Sequence, residues 1–354
     1  MIKQLAAMII AFFIGASAPT APLQKSTPKA VFVTTQVTKS IFVPSWAANQ
    51  SLASSPYDAY YYFGLTPDTE GNIVHDSVYQ HLATLQSVPA NKRYVVLKLM
   101  DDRLIDAYLT SSIIQSKLIA TLGRELTLRQ IQGVVIDLEL SFTMKPEREK
   151  QITTLVQQMC TGLHKDYKSC FVAIYGDTFY QTRPYNIQEI GAAADRILVM
   201  AYDFHKAGGE PGPNFPLSRR SMSEGGDFDY GYDFKHMVAD FTSVVPKDKL
   251  EIIFGMYGYD WTMNEQKMPL KSAQALTLRQ IESQMTNNKS TNQSQITNYK
   301  LQKNPALEKL ITYIDSEGRR HVVWYEDEES VAVKIDYLRS QGIGHISYWA
   351  YGYF

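Results

Sequence analysis

The chain has 354 residues, 45% of them hydrophobic, with 35 Lys and Arg against 36 Asp and Glu. That length and apolar content suffice for one large domain or two small ones, and they exclude both a disulfide-stapled mini-protein and an intrinsically disordered chain. A formal net charge of −1 provides no basic field for a polyphosphate, so no nucleic-acid partner is expected. The 23 Tyr, 15 Phe and 4 Trp could form plain core or stack on flat neutral ligands such as sugars, and composition does not choose between them. Cys160 and Cys170 show no CxxC spacing, and HExxH, GxxxxGKS/T, GxGxxG and GxSxG are all missing from the sequence. No metal or cofactor is therefore expected, and the simplest metalloprotease, P-loop, dinucleotide and α/β-hydrolase readings fall away.

In chain order, Met1–Gln4 carries one Lys, Leu5–Gly15 is an apolar or small-residue run, and Ala16-Ser17-Ala18 has the form of a signal-peptidase site. Residues 1–21 read as a signal peptide or N-terminal anchor, and 22–29 as a Pro-containing linker. Pro follows both Ala18 and Ala21, so cleavage elsewhere, or retention as an anchor, stays open; membrane contact is expected only if the segment is uncleaved. The apolar run falls short of a span of about 20 residues. In an exported protein Cys160 and Cys170 could pair or remain buried thiols.

From Ala30 to Phe354, short β-branched or aromatic runs alternate with amphipathic stretches, the pattern of βα units. Strands are expected at Ser40–Trp46, Ala59–Gly64, Arg93–Met100, Gly133–Glu139, Cys170–Tyr175, Arg196–Tyr202, Glu251–Tyr257 and Gly344–Trp349. Helices are expected at Ser77–Ser87, Ser112–Arg124, Lys145–His164, Ile187–Ala194, Tyr232–Val244 and Glu328–Ser340. Eight such units predict an α/β fold of the (β/α)8 TIM-barrel type. Residues 262–321 interrupt the last unit and read as a small α+β insertion between strands 7 and 8. It is expected to hold a loop at Met285–Asn298 and a hairpin turning at Glu317-Gly318. Gly208–Gly226 reads as a long loop after strand six.

Barrel enzymes carry their chemistry at the C-terminal ends of the strands. There this chain places Trp46, Asp101, Asp102, Asp137, Glu139, Asp177, Tyr202, Asp203, Tyr257, Trp261 and Trp349. Carboxylates beside aromatic faces suit a sugar. In Gly133–Glu139, alternation puts Val135, Asp137 and Glu139 on one face, with the two acidic Cα atoms about 6.6 Å apart. Two carboxylates this close are expected to push one pKa up, as a general acid requires, although the bare pattern also fits two solvated loop acids.

Gly133–Glu139 resembles the D-G-x-D-x-D-x-E strand of glycoside hydrolase family 18, the family of chitinases and related N-acetylglucosaminidases. Met200-Ala201-Tyr202-Asp203 resembles its strand-six motif, Phe254–Trp261 its strand seven, and Ser347-Tyr348-Trp349 its eighth-strand Trp. The segments Gly258–Trp261 and Gly318–Asp327 are most similar to the bacterial branch of spore-cortex-lytic N-acetylglucosaminidases. The resemblance implies catalytic Glu139 as the acid, Asp137 orienting the substrate acetamido group, and Tyr202 holding that group's oxygen. Met200, Asp203 and Trp349 would bind substrate, and Trp46, Tyr257 and Trp261 are expected to do so from their place at the strand ends. The resemblance also implies action on an N-acetylglucosamine-containing oligo- or polysaccharide by a substrate-assisted retaining mechanism, while the N-terminal segment points to a secreted or cell-envelope protein and a monomer is expected. Two positions depart from the family pattern: Gln132 and Val135 stand where it carries acids. Without an acid at Val135, Asp137 is expected to ionise more readily, and a non-catalytic chitinase-like lectin is the alternative function.

Overall fold

Eight runs rich in Val, Ile, Tyr and Phe lie parallel and close into a barrel in the computed structural model, which describes residues 36–48, 52, 56–140, 146–223, 226–290, 297–303 and 308–354. The barrel strands are β1 (Thr38–Pro44), β2 (Ala59–Leu65), β3 (Arg93–Leu99), β4 (Gly133–Leu138), β5 (Ser169–Tyr175), β6 (Arg196–Ala201), β7 (Leu250–Gly255) and β8 (His345–Trp349). Closure comes from β1 pairing with β8, where Thr38 lies opposite His345 and Ile41 opposite Tyr348. All eight expected strands are present, shifted at their ends by up to two residues.

The helices in chain order are α1 (Ser77–His81), α2 (Asp102–Thr110), α3 (Ser112–Leu128), α4 (Pro146–Lys165), α5 (Ile187–Ala193), α6 (Phe234–Val244), α7 (Leu278–Ser290) and α8 (Glu328–Ser340). Two of them, α2 and α7, lie outside the expected set. Asp101, one of the strand-end acids, caps α2 by accepting from the Leu104 N–H at 2.9 Å. Asp327 opens α8 in a reciprocal capping box with Ser330.

Strands covered on both faces must be apolar on both faces, and these are. Phe42, Tyr61, Val96, Val135, Phe171, Leu198 and Ile253 fill the barrel interior. Val134, Ile136 and Val172 face outward into a layer shared with Leu118, Leu122, Val156 and Met159 of the helices. At the floor, the buried Glu251 accepts from Arg196 Nη1 at 2.7 Å and from the Tyr61 hydroxyl at 3.0 Å. A buried charge lacking such partners would cost several kcal/mol, roughly, so this set makes the floor compatible with a dry interior. Cys160 of α4 and Cys170 of β5 form a disulfide.

Between β7 and β8 the chain leaves the barrel and builds an antiparallel five-stranded sheet. Its order is Gln274–Thr277, Tyr257–Met263, Arg320–Tyr325, Lys309–Ile314, Thr297–Lys303. The sheet therefore reaches beyond 262–321 at both ends. The expected hairpin is there, with Gly318 at φ +80° in its turn and Asp315 accepting from the N–H groups of Glu317 and Arg319. The loop expected at Met285–Asn298 is a correction: α7 continues through Ser290, a strand starts at Thr297, and 291–296 lie outside the described residues. The Gly208–Gly226 segment likewise ends in a short hairpin, Arg220–Ser223 with Gly226–Asp229. The expected export segment and linker, residues 1–29, lie outside the described residues.

Candidate active site

The site grows out of β4. Alternation turns Val135 and then Asp137 to the barrel interior, and the Glu139 N–H donates to the Leu99 carbonyl at 2.9 Å, extending strand geometry past the end of β4. Asp137 is only 4% exposed, and its Oδ1 has no hydrogen-bond partner among the described residues. Burial, then the charge of Glu139, push its carboxyl well above the ordinary range, while Lys98 pulls the other way. Val135 leaves no acid beneath Asp137, and burial and Glu139 still raise its carboxyl above the ordinary range.

Glu139 accepts from the Tyr175 hydroxyl at 2.6 Å. Burial and Glu139 hold that phenol far above its usual pKa, so it stays a donor. The Arg183 guanidinium lies 3.9 Å over the Tyr175 ring and is itself gripped by Asp177 at 2.6 to 2.9 Å. Asp177, another strand-end acid, therefore anchors Arg183.

β6 delivers Tyr202 and Asp203. The Tyr202 hydroxyl is buried and kept protonated, chiefly by that burial and next by Asp137 and Glu139. Asp203 sits at φ +57°, a region few side chains accept. Its N–H donates to Asn214 Oδ1 at 2.7 Å, and Asn214 Nδ2 donates to the Gly255 carbonyl at 3.0 Å. The Asp203 carboxylate accepts from the hydroxyls of Tyr257 and, at 2.8 Å, Tyr259. Asn214 is fixed in turn by the buried Glu308, which also accepts from the Phe215 N–H at 2.8 Å and from Lys334 at 2.9 Å. A buried charge cluster thus braces the loop that carries Asp203.

Trp349 ends β8 with its ring 4.8 Å from Phe63 and 5.8 Å from Phe42. These groups enclose a cavity of about 310 Å³ lined by Asp137, Glu139, Met200, Tyr202, Asp203, Tyr257 and Trp349, together with Phe63, Tyr259, Tyr353 and residues 275–277 of the inserted sheet. Its walls are mostly apolar, its acids come from the ends of β4 and β6, and one wall comes from the insertion. Among the described residues no group of three or more His, Cys, Asp and Glu is placed to hold a metal ion.

The pattern of Glycosyl hydrolases family 18 matches residues 109–353. The chain belongs to this family. As a family 18 glycoside hydrolase it is 23% identical over 321 residues to the cortical fragment-lytic enzyme of Bacillus anthracis, an alignment covering 86% of this chain and 67% of that one. It is 27% identical over 168 residues to the putative sporulation-specific glycosylase YdhD of Bacillus subtilis, across 47% of this chain but only 34% of the relative's length. Its fold matches the spore cortex-lytic enzyme SleL of Bacillus cereus with a TM-score of 0.71 at 18% identity, covering 91% and 72% of the two chains. A family 18 N-acetylglucosaminidase from Paenibacillus barengoltzii matches with a TM-score of 0.70 at 16% identity, covering 90% and 96%.

One expected binding residue of this family 18 chain needs correction. Trp261 is fully buried on the inserted strand Tyr257–Met263, packed with Met263 and Trp324, and its Nε1 donates to the Gly209 carbonyl at 3.0 Å. It holds the insertion against the loop after β6 and does not line the cavity. Trp46, 58% exposed, stands beside the cavity, 6.4 Å from Trp349 and 6.5 Å from Phe63, though it is not part of the lining itself. Asp102 begins α2 and lies outside that lining too. His205 bonds the Pro213 carbonyl and lines a separate polar groove. Tyr175, Tyr259 and Asn214 were missing from the sequence reading. Two signals were available: Tyr175 is the last residue of an expected strand, and Tyr259 lies within the Phe254–Trp261 segment that resembles the family.

Proposed function

We propose that this chain hydrolyses the β-1,4 bond after N-acetylglucosamine in peptidoglycan or chitin oligosaccharides, using the acetamido group of the substrate as nucleophile. The observation that carries this reading is the pairing of Asp137 and Glu139 in one cavity, with Asp137 buried and its Oδ1 unpartnered among the described residues. A buried acceptor without a donor is costly, and an acetamido N–H is a donor of the right kind.

In this mechanism Glu139 gives its proton to the glycosidic oxygen as the bond to the anomeric carbon breaks. The acetamido oxygen closes on that carbon and forms an oxazolinium ion, so no protein carboxylate forms the covalent bond. Asp137 accepts the acetamido N–H and balances the positive charge growing on the ring. Tyr202 donates its hydroxyl to the acetamido oxygen and Trp349 supplies the apolar floor; Asp203 and Met200 complete the pocket. Water then attacks the anomeric carbon, loses its proton to Glu139, opens the ring and leaves the configuration retained.

Export to the cell envelope fits the N-terminal sequence, and the Cys160–Cys170 disulfide supports an oxidising compartment. Among the described residues no helix is long and apolar enough to cross a membrane. Relatives named for cortex lysis favour a peptidoglycan-type glycan. The reading is tested by calorimetry with a thiazoline analogue of the oxazolinium ion. Binding that is weakened by Tyr202→Phe is expected, whereas failure of the wild type to bind it would remove the acetamido-assisted step. Oligosaccharide binding without any turnover would favour the lectin alternative.

A further inference from the structure

Asp137 is 4% exposed and shares its cavity with Glu139, while the inner-face residue beneath it is the apolar Val135. A carboxylate in such a place needs a compensating cation. In the parallel register of β3 and β4, the Cα partner of Asp137 is Lys98, and the pair one inward step earlier is Val96 with Val135, both in the barrel interior. Alternation therefore carries the Lys98 side chain to the same inner face as Asp137, on a strand about 4.8 Å away. On the opposite side the partner of Asp137 is Ala173 of β5, which brings no charge. The Lys98 ammonium lies 5.1 Å from the ring centre of Phe63, and Phe63 lines the cavity. That contact holds the cation at the level of the site.

The other ionisable groups acting around Asp137 are Glu139 on its own strand, Tyr202 at the end of β6 and Tyr185 in the segment after β5. Both phenols are held protonated, chiefly by burial, and so bring no positive charge. We propose that Lys98 is a positioning residue for the reaction: reaching across the β3–β4 pair, it is the electrostatic partner that favours, against burial and Glu139, the carboxylate form of Asp137 that receives the acetamido N–H. The proposal rests on the role given to Asp137 above. Lys98 touches neither the leaving group nor the attacking oxygen; it acts only through Asp137. Lys98 thereby offsets the cost of leaving Asp137 over Val135.

The test uses Lys98→Met and Lys98→Arg with two readouts. One is the pH dependence of kcat/KM on an N-acetylglucosamine oligosaccharide. The other is the pH titration of the protonated-carboxyl stretch by infrared difference spectroscopy on the free protein, assigned with Asp137→Asn. In Lys98→Met the acidic limb and the infrared titration should move together to higher pH by about one unit, roughly a tenfold loss of rate below the limb that is recovered as pH rises. Lys98→Arg should restore both. A folded Lys98→Met protein whose titration and limb stay in place, or whose loss is uniform across pH, overturns the proposal. If methionine prevents folding, Lys98→Gln is measured instead. Should the wild type cleave no such oligosaccharide, the proposed function fails, while the infrared titration alone still decides whether Lys98 controls Asp137.

Discussion

Tyr175 donates its hydroxyl to Glu139 at 2.6 Å, and the two side chains come from neighbouring barrel strands, one ending β5 and the other following β4. The phenol fixes where the Glu139 carboxyl points. A hydrogen bond to a charged group contributes about 1.5–3 kcal/mol, so Tyr175→Phe should lower kcat by roughly tenfold to a hundredfold with little change in KM. Steady-state kinetics on a chitooligosaccharide check this, and an unchanged kcat would show that Glu139 is oriented without Tyr175.

Asn214 clamps Asp203 in its left-handed conformation and also holds the Gly255 carbonyl. Asn214→Ala leaves a buried N–H and a buried carbonyl without partners, which should cost about 1–3 kcal/mol each. Thermal unfolding should show a lower Tm, and kinetics a weaker kcat/KM, because Asp203 is no longer held against Tyr257 and Tyr259. Equal Tm values for variant and wild type would contradict the clamp.

Three tryptophans that look alike in the sequence should respond differently to alanine. Trp261, fully buried, should cost about 3–5 kcal/mol of stability. Trp349, the floor of the cavity, should chiefly raise KM and lower kcat. Trp46, 58% exposed, should leave stability nearly unchanged. Denaturant unfolding of the three variants beside their kinetics separates these roles.

In the inserted sheet, His321 presents Nδ1 to Asp260 at 2.8 Å and Nε2 to Asp315 at 3.3 Å, and its ring stacks on Tyr313 at 4.5 Å. Only the imidazolium has N–H groups on both nitrogens. Burial lowers its pKa, but the hydrogen bonds and charges of Asp260 and Asp315 outweigh burial and the net shift is upward. A folded pKa above the unfolded one gives stability that is complete below about pH 6.5 and is lost as pH rises through the folded value. Tm measured across that range should fall with rising pH, and His321→Gln should flatten the fall.

The barrel was legible because each strand carries its own β-branched or aromatic run, and these runs are independent of tertiary context. The acids of the site were legible because Asp137 and Glu139 interrupt an apolar strand only at its end. Tyr175 was not, since a tyrosine closing a strand looks the same whether it faces core, solvent or a carboxylate. Trp261 was misplaced because its strand continues the period-2 pattern of β7, and nothing local marks Met256 as the point where the chain leaves the barrel. The hold of Asn214 on Asp203 spans eleven positions and a backbone angle of +57°, neither visible in one dimension. Helix α2 was hidden because its cap, Asp101, follows β3 so closely that the two acids read as possible site residues.

With Glu139 as the acid and the substrate's acetamido oxygen as the nucleophile, only substrates carrying that group should be cleaved. Sugar release should be followed for wild type and Glu139→Gln on an N-acetylglucosamine oligosaccharide and on its glucose counterpart, which lacks the acetamido group. Cleavage of the first substrate alone is predicted, with Glu139→Gln slower by about 10²–10⁴-fold. Undiminished turnover by Glu139→Gln, or comparable cleavage of the glucose oligosaccharide, would contradict it.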